Sequence, residues 1–294
     1  MTAFVEHLAT RRAAGLFDFS FMGLYEFSGL GSLESLQTRN LQQMQPGEIV
    51  YTLLLKDDGA VLIDATVWSL DAERFWLFTG RRSAFGGRDR SGEYAIYALQ
   101  GPASGRILAK LIGADAVRGL RYFHFLQKDN MIVGRLGFSG ELGYELLVHA
   151  SDAPALRRKL LDAGRGDGLR ECGWTAADSL RIEAGYVLFD REIDGRANPA
   201  ELGLERLAPG RKFETTRKLV GLEILDGPAR TDLPLAHVTS ECFSPTLGKA
   251  LALAFANYES NPGSGVRLAD GRIARVARLP FYDPERRRPR AMPL

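Results

Sequence analysis

The alternation of apolar and polar residues predicts that most of the chain is built from strands with short helices between them. Residues 48–55 and 61–68 are two apolar segments joined by Lys56-Asp57-Asp58-Gly59, and an Asp-Gly pair in that position predicts a β-hairpin. Extended segments are also predicted over 16–29 (broken at Gly23), 74–79, 93–99, 123–125 and 130–134. Helical spacing predicts helices over 3–14, 31–41, 103–111, 152–164 and 175–185, the first with Phe4, Leu8 and Ala13 as its apolar positions.

The last quarter of the chain has a different pattern. After a polar connection over 203–217, which is the best candidate linker, short strands are separated by turns rich in glycine and proline, and this pattern predicts a small β-barrel. The predicted strands of this part cover 219–224, 235–239, 250–256 and 272–278. We therefore expect an α+β fold with a large domain of mixed sheets and helices over 1–210 and a β-barrel domain over 218–294.

Composition narrows the classes of function. Of the 294 residues 45% are hydrophobic and 25% charged, as in soluble globular proteins, and a net charge of +2 gives no field that favours nucleic acid or an acidic membrane. The chain has no apolar run of membrane-spanning length and no signal-peptide pattern, so we expect a cytoplasmic protein. Two distant cysteines and four histidines without ligand spacing predict neither a disulfide framework nor a metal site. The arginine run over 286–290 is expected to be a solvated end.

The segment from Gly134 to Val148 carries the first candidate functional residue. Glu145 lies in an apolar stretch, and strand alternation places it on the face opposite Tyr144 and Leu146. A buried carboxylate needs a partner, and a flat ligand with two adjacent N–H donors, such as a pterin or a guanine, would supply one. The alternative is that Glu145 faces solvent or pairs with an arginine.

Asp64 is the second candidate, because an aspartate in the middle of an apolar, β-branched strand is locally unfavourable. The alternative is an exposed face of an edge strand. Asp178 and Arg181, three residues apart in a predicted helix, are expected to form a surface pair with a structural role.

These segments, together with four others in the same order, resemble the folate-binding aminomethyltransferase family, which comprises the T-protein of the glycine cleavage system and its relatives. The resemblance extends over residues 15–283. The segments are Leu16-Phe-Asp-Phe-Ser-Phe-Met-Gly23, Gly59 to Val67, Ala98-Leu-Gln-Gly-Pro102, Gly137 to Glu145, Asp178-Ser-Leu-Arg-Ile-Glu-Ala-Gly185, Thr239 to Gly248 and Leu279-Pro-Phe-Tyr-Asp283.

The resemblance implies a fold, a reaction and a set of site residues. The expected activity is tetrahydrofolate-dependent transfer of a one-carbon unit, with reduced folate as cosubstrate and no metal. Asp64 corresponds to the aspartate beside the folate N5, and Glu145 to the glutamate that binds the pterin ring. The positions that line the folate pocket in similar proteins are Met22, Tyr51, Trp68 and Phe138 here, and Arg286 corresponds to the C-terminal residue that reaches the folate tail.

Several positions depart from the family pattern. Ala177 replaces an arginine that contacts folate, Phe21 replaces a histidine, and the turn after the third strand reads Thr79-Gly-Arg-Arg82. The Lys-Gly-Cys signature of the iron–sulfur-linked branch is absent, and an N-terminal segment of the glycine-cleavage proteins is missing. The one-carbon donor is therefore either a lipoyl carrier protein, from which we expect weak transfer, or a methylated small molecule in a folate-dependent demethylase. The loss of the arginine at position 177 also leaves open a folate-binding regulator without turnover.

Overall fold

A computed structural model describes residues 2–227 and 230–294 of the chain. The helices in these ranges are α1 (Ala3–Arg12), α2 (Gly31–Leu36), α3 (Ser104–Ile112), α4 (Ala114–Gly119), α5 (Ala153–Gly164) and α6 (Trp174–Glu183). In the described part of the chain, none of them is long and apolar enough to cross a membrane.

The strands form three sheets. In chain order they are β1 (Ala14–Asp18), β2 (Gly23–Ser28), β3 (Ile49–Leu55), β4 (Val61–Ser69), β5 (Arg74–Thr79), β6 (Arg88–Asp89), β7 (Tyr94–Gln100), β8 (Phe125–Lys128), β9 (Met131–Gly134), β10 (Gly143–His149), β11 (Leu169–Glu171), β12 (Arg217–Leu225), β13 (His237–Ser244), β14 (Lys249–Asn257), β15 (Gly265–Arg267) and β16 (Ile273–Ala277). The first sheet has the order β11-β1-β7-β10-β9-β8, the second β3-β4-β5-β2-β6, and the third β13-β14-β12-β16-β15.

The first two sheets pack face to face and place the candidate site between them. Their facing side chains form one buried cluster, to which Leu147 of the first sheet and Trp68 of the second both belong. The outer face of the first sheet is covered by α3 and α5, and the outer face of the second packs around Leu33 of α2. This layered arrangement confirms the predicted α+β class.

The third sheet curls into a small barrel, and its strand β14 has small residues on the inner face and larger ones on the outer face. Small residues such as Ala252, Ala254 and Ala274 point inward, where a narrow interior has little room. Larger residues on the other face of β14, such as Leu253 and Phe255, pack against the N-terminal part of the chain. A backbone bridge between Leu235 and Arg267 links the strand ends at the two edges and helps to close the sheet.

The predicted β3–β4 hairpin is present, with Ile49 paired to Trp68 and Leu53 to Asp64. The predicted helix over 31–41 ends at Leu36, and the short strand β11 and helix α4 were not predicted. The polar connection over 203–217 is not a free linker: it contains a 3-10 helix, Glu205–Leu207, and Leu207 is buried against β3.

Helix α1 buries its polar face, contrary to the apolar face predicted. Phe4 is 49% exposed, whereas His7 and Arg11 are buried. Arg11 donates to Glu183 through Nε at 2.9 Å and Nη2 at 2.8 Å, and His7 Nε2 lies 3.0 Å from the other oxygen of Glu183. The Ser244 hydroxyl of β13 also donates to Glu183. The network therefore ties α1, α6 and the barrel together.

Arg181 forms the predicted pair with Asp178, with 2.7 Å between Nε and Oδ1, but it is not on the surface. The Arg181 side chain is fully buried and also donates to Glu192 at 2.7 Å and to Ser240 of β13 at 2.6 Å. Since a buried charge is tolerated only when it is paired and hydrogen-bonded, this arginine gives α6 a second polar connection to the barrel.

Candidate active site

Asp64 lies on the inward face of the second sheet. Its strand has β3 on one side and β5 on the other, so the alternative of an exposed edge strand does not hold. The Tyr51 hydroxyl on β3 donates to Asp64 Oδ2 at 2.9 Å. Burial raises the pKa of Asp64, and the hydrogen bond from Tyr51 opposes that shift. The half-buried carboxylate is thus oriented by one partner and keeps further acceptor capacity.

Tyr51 connects this carboxylate to the rest of the site. Burial raises the pKa of Tyr51 well above its usual range, and the charge of Asp64 adds to the shift. Tyr186, in the loop after α6, acts on the same hydroxyl electrostatically. Tyr51 therefore stays a neutral hydrogen-bond donor to Asp64 at physiological pH.

Glu145 lies on the facing sheet, in β10 between β7 and β9. Tyr144 and Leu146 point away from it into the core under α3 and α5, which is the alternation that the sequence predicts. Glu145 is 7% exposed, and no hydrogen bond or ion pair reaches its carboxylate from the described residues. Burial raises its pKa to about 7. No arginine among the described residues supplies the partner that this carboxylate needs.

Trp68 joins the two sheets next to Glu145. Gly134 on β9 is the cross-strand neighbour of Glu145, and a Cβ at position 134 would collide with the Trp68 ring. The tryptophan is fully buried, stacked on Phe125 at 5.2 Å, and its Nε1 donates to Thr66 at 3.0 Å. Both faces of the Trp68 ring are therefore covered by protein, so Trp68 packs the two sheets together and has no face open to a ligand.

Phe138 and Met22 lie at the other end of the same cluster. The Phe138 ring stacks on Trp174 of α6 at 6.3 Å with an interplanar angle of 17°, and its centroid also lies 6.3 Å from that of Tyr186. Half-buried Met22 packs on the same cluster. Ala177 is buried one helical turn after Trp174, so aromatic side chains surround the position where the family has an arginine.

Arg286 reaches the site from the C-terminal arm, which we define as residues 282–294. Its guanidinium carbon lies 5.9 Å from the centroid of the Tyr186 ring. The arginine run is largely exposed, as expected, at Arg287, Arg288 and Arg290. The arm is nevertheless docked at two points, because Arg288 pairs with buried Glu141 at 3.4 Å and Arg135 donates to the Ala291 carbonyl at 2.6 Å. Sequence reasoning missed Tyr186; its place directly after the Glu-Ala-Gly segment that ends at Gly185 is the only signal for it.

An aromatic groove of about 410 Å³ opens on the other side of Trp174. Phe19, Phe21 and Phe189 are among the side chains that line it, and Phe21 and Trp174 meet edge to face at 5.4 Å. The ring of Phe189 packs on Gly80. Continuing the β4–β5 register by one pair places Gly80 opposite Asp64, so this wall of the groove adjoins the face that carries the aspartate.

The unpartnered carboxylate of Glu145 predicts a pH dependence of stability. The pKa of Glu145 is about 7 in the folded protein and 4.5 in the unfolded chain, so the folded state binds the proton more tightly. The folded protein therefore loses stability as pH rises from about 4.5 to about 7 and the carboxyl ionises. We expect Glu145→Gln to raise the free energy of unfolding by about 3 kcal/mol at pH 8 and by about 1 kcal/mol or less at pH 5. Urea unfolding of both proteins at the two pH values measures this, and an equal difference at both would contradict it.

Comparisons with known proteins agree with the motif resemblance. Residues 2–212 match the family model of the GCVT N-terminal domain, and residues 217–283 match that of the glycine cleavage T-protein C-terminal barrel domain. An aminomethyltransferase of Symbiobacterium thermophilum is 35% identical, over 96% of this chain and 90% of the relative. One of Halothermothrix orenii is 31% identical, over 94% of this chain and 90% of the relative.

A solved structure extends the likeness to the fold. The crystal structure of glycine cleavage system aminomethyltransferase T from Bartonella henselae matches with a TM-score of 0.81 and 25% identity, and the match covers 96% of this chain and 90% of that one. The resemblance inferred from seven short segments is thereby confirmed. The chain belongs to the aminomethyltransferase family of the glycine cleavage T-protein.

Proposed function

We propose that this enzyme transfers a one-carbon unit to N5 of tetrahydrofolate, and that Glu145 binds the pterin ring. The observation that carries the proposal is the buried carboxylate of Glu145, which none of the described residues pairs. An ionised carboxylate accepts two hydrogen bonds side by side, and the pyrimidine edge of a pterin presents two N–H groups with that spacing. Binding would give the carboxylate the partner that the fold withholds.

The flat shape of a pterin also fits the walls of this site. The Phe138 and Tyr186 rings lie 6.3 Å apart between centroids with their planes tilted by 33°, and half-buried Met22 packs on the same cluster as Phe138. Trp68 fixes β4 against β9 and so holds the Asp64 strand beside the Glu145 strand. Because these rings are held by their neighbours, the two carboxylates are preorganised on rigid strands.

Asp64 would act at the reacting nitrogen. Tetrahydrofolate supplies the N5 amine that accepts the carbon, and Asp64 would accept a hydrogen bond from it. The carboxylate, held in place by Tyr51, would then stabilise positive charge that develops on the transferred carbon. Much of the rate would come from holding donor and acceptor together in the correct orientation.

The donor that we propose is an aminomethyl group on a lipoyl carrier protein. This replaces the expectation of weak transfer from such a carrier, because the relatives over nearly the whole chain are named aminomethyltransferases. The carbon would form bonds to N5 and N10 of tetrahydrofolate while its bonds to sulfur and to the amino nitrogen break. The two protons released from folate would leave with the carrier thiol and with ammonia.

The second candidate, demethylation of a methylated small molecule, is favoured by one observation: the aromatic groove beside Trp174 is lined by Phe189, whose ring packs on Gly80 at the end of β5. A regulator without turnover is less well supported, because Asp64 and its Tyr51 partner are both in place.

Removal of the Glu145 carboxylate should weaken folate binding. In Glu145→Ala the two pterin N–H groups would be buried without an acceptor, so we expect a loss of about 2–4 kcal/mol in binding free energy. Calorimetric titration with tetrahydrofolate measures it. Glu259→Ala, at an exposed glutamate of a barrel turn, is the matched control. Unchanged affinity in folded Glu145→Ala would show that this carboxylate does not bind the pterin.

Neutralisation of Asp64 should affect turnover more than binding. Asp64→Asn keeps the shape and the contact with Tyr51 but removes the charge, so we expect similar folate affinity and a fall in kcat of about 10²-fold or more. Asp57→Asn, at an exposed aspartate in the turn of the β3–β4 hairpin, is the matched control. Full turnover of Asp64→Asn on the true donor would refute the role of this charge.

The donor is identified by the product. Anaerobic incubation with tetrahydrofolate and an aminomethyl-lipoyl carrier protein should yield methylenetetrahydrofolate and ammonia in equal amounts. Methyltetrahydrofolate formed only from methylated small molecules would instead establish the demethylase. Folate binding without product from either donor class would establish the regulator.

A further inference from the structure

The outer end of the C-terminal arm is attached to the protein separately from its inner end. We call residues 289–294 the tail. Pro289 and Pro293 are buried, whereas Met292 between them is 84% exposed. Because a proline ring fixes the φ angle of its residue, these two positions hold the tail backbone in a narrow range of conformations. The tail therefore docks at separate points and not through a continuous apolar face.

Gly105, the second residue of α3, forms one of these docking points. A Cβ at position 105 would collide with the backbone carbonyl of Pro293, so the tail lies directly on the backbone of the first turn of α3. Such a close approach of two backbones requires glycine. Gly119 in α4 differs, because a Cβ at that position would meet no atom within 4 Å. The close approach is thus specific to Gly105.

Arg135, directly after β9, forms the second docking point. It is 6% exposed, and its Nη1 and Nη2 donate to the carbonyls of Leu120 at 3.0 Å and of Ala291 at 2.6 Å. Its Nε has no hydrogen-bond partner in the described parts of the chain. Since a buried guanidinium is costly unless it is hydrogen-bonded, the Ala291 carbonyl is an acceptor that Arg135 needs. The docked position of the tail is favoured for that reason.

The inner end of the arm is held more strongly than the tail. The Tyr282 ring lies between the guanidinium groups of Arg288 and Arg11, at 4.7 and 4.1 Å from their carbons, and Arg288 pairs with buried Glu141 at 3.4 Å. The tail has in their place one hydrogen bond from Arg135 and one backbone contact. Segments with few buried contacts open at a lower free energy than the rest of a fold. The arm is therefore built to open from its outer end.

The docked tail lies across the aromatic end of the site. Arg290 packs over Tyr122, with 5.9 Å between the guanidinium carbon and the ring centroid. Its Nη1 donates at 3.3 Å to the carbonyl of Arg286, whose own guanidinium carbon is 5.9 Å from the centroid of Tyr186. Tyr186 is the ring that contacts Phe138. Undocking of the tail would remove Arg290 from this end of the site.

We propose that the tail opens and closes over the site as a strap, and that Gly105 and Arg135 form the clasp that holds it closed. The part that concerns folate rests on the proposed function. Reduced folate would enter and leave while the strap is open, and the closed strap would retain it and exclude water. Because the ligand passes the same strap in both directions, the clasp would change the association and dissociation rates together and the affinity much less.

Limited proteolysis without ligand measures how often the tail opens. Trypsin cleaves after arginine, so cleavage of the Arg290–Ala291 bond, followed by mass spectrometry, reports the population of the open tail. In Gly105→Ala the added methyl group would hold the tail away from α3, and we expect cleavage at least about tenfold faster than in the wild-type protein. Gly119→Ala is the matched control, since it makes the same change in a neighbouring helix where the methyl group has free space.

The rates of folate exchange test the strap as a gate. Stopped-flow fluorescence with tetrahydrofolate gives both rate constants, and Trp174, which stacks on Phe138, supplies a signal close to the site. We expect Gly105→Ala to raise the association and the dissociation rate constants by about fivefold or more each, and to change Kd by less than about threefold. Gly119→Ala should leave both rate constants at their wild-type values.

Pro293→Gly loosens the same clasp from the side of the tail and leaves α3 unchanged, so it decides the matter if Gly105→Ala does not fold. Cleavage at the wild-type rate in the folded variants would refute the clasp. Faster cleavage with unchanged rate constants for folate would refute the gate. If the folded wild-type protein does not bind tetrahydrofolate, the proposed function fails and the gate with it, whereas the cleavage rates still decide the clasp. The two failures are therefore distinguishable.

Discussion

The ion pairs around Arg11 and Glu183 hold together segments from the beginning, the middle and the end of the chain. Arg11 donates to Glu183 and, at 3.0 Å, to Glu141, which also pairs with Arg288 of the C-terminal arm. Although burial by itself raises the pKa of Glu183, the hydrogen bond from His7 and the charge of Arg11 hold it below its usual range. A buried charge that loses its partner costs several kcal/mol. If one of these segments moved, the charges on the other segments would be left buried and unpaired.

This network explains how the candidate site is kept in shape. Glu141 belongs to the loop that leads into β10, four residues before Glu145, and its partner Arg288 lies two residues after Arg286. The network thus fixes both the group proposed for the pterin ring and the group proposed for the folate tail. Against this background of paired charges Glu145 stands apart, because it is buried to a similar degree and has no partner in the described residues. Ionisation of Glu145 destabilises the fold, and packing elsewhere in the protein has to offset that cost. Such locally unfavourable groups are typical of binding sites that are formed before the ligand binds.

The sequence predicted those features whose cause is local. The Asp-Gly turn, the alternation around Glu145 and the apolar strand around Asp64 each depend on neighbours a few residues away, and the structure shows the hairpin and the strands there. Helix α1 was misjudged for the complementary reason. The residues that hydrogen-bond buried His7 and Arg11 lie more than 120 residues away in the sequence. The pattern of residues within the helix therefore cannot predict that these two side chains are buried. Tyr186 was missed for the same reason, since its contacts with Phe138 and Arg286 form only when distant segments come together. Arg286 was predicted, but only from the family resemblance.

The loss of the family arginine at position 177 has a physical counterpart elsewhere in the site. Ala177 is buried in a cluster to which Phe138 and Phe19 also belong, and Trp174 stacks on Phe138 one turn earlier on the same helix. A guanidinium placed among these rings would have to be desolvated without an acceptor, which is costly. Positive charge instead reaches the site from its rim, through Arg286 and Arg290, where solvent and aromatic faces both stabilise it. In the site that we propose, anion recognition therefore lies on the C-terminal arm and not on α6, and the inner part is left to the carboxylate of Glu145 and the aromatic walls.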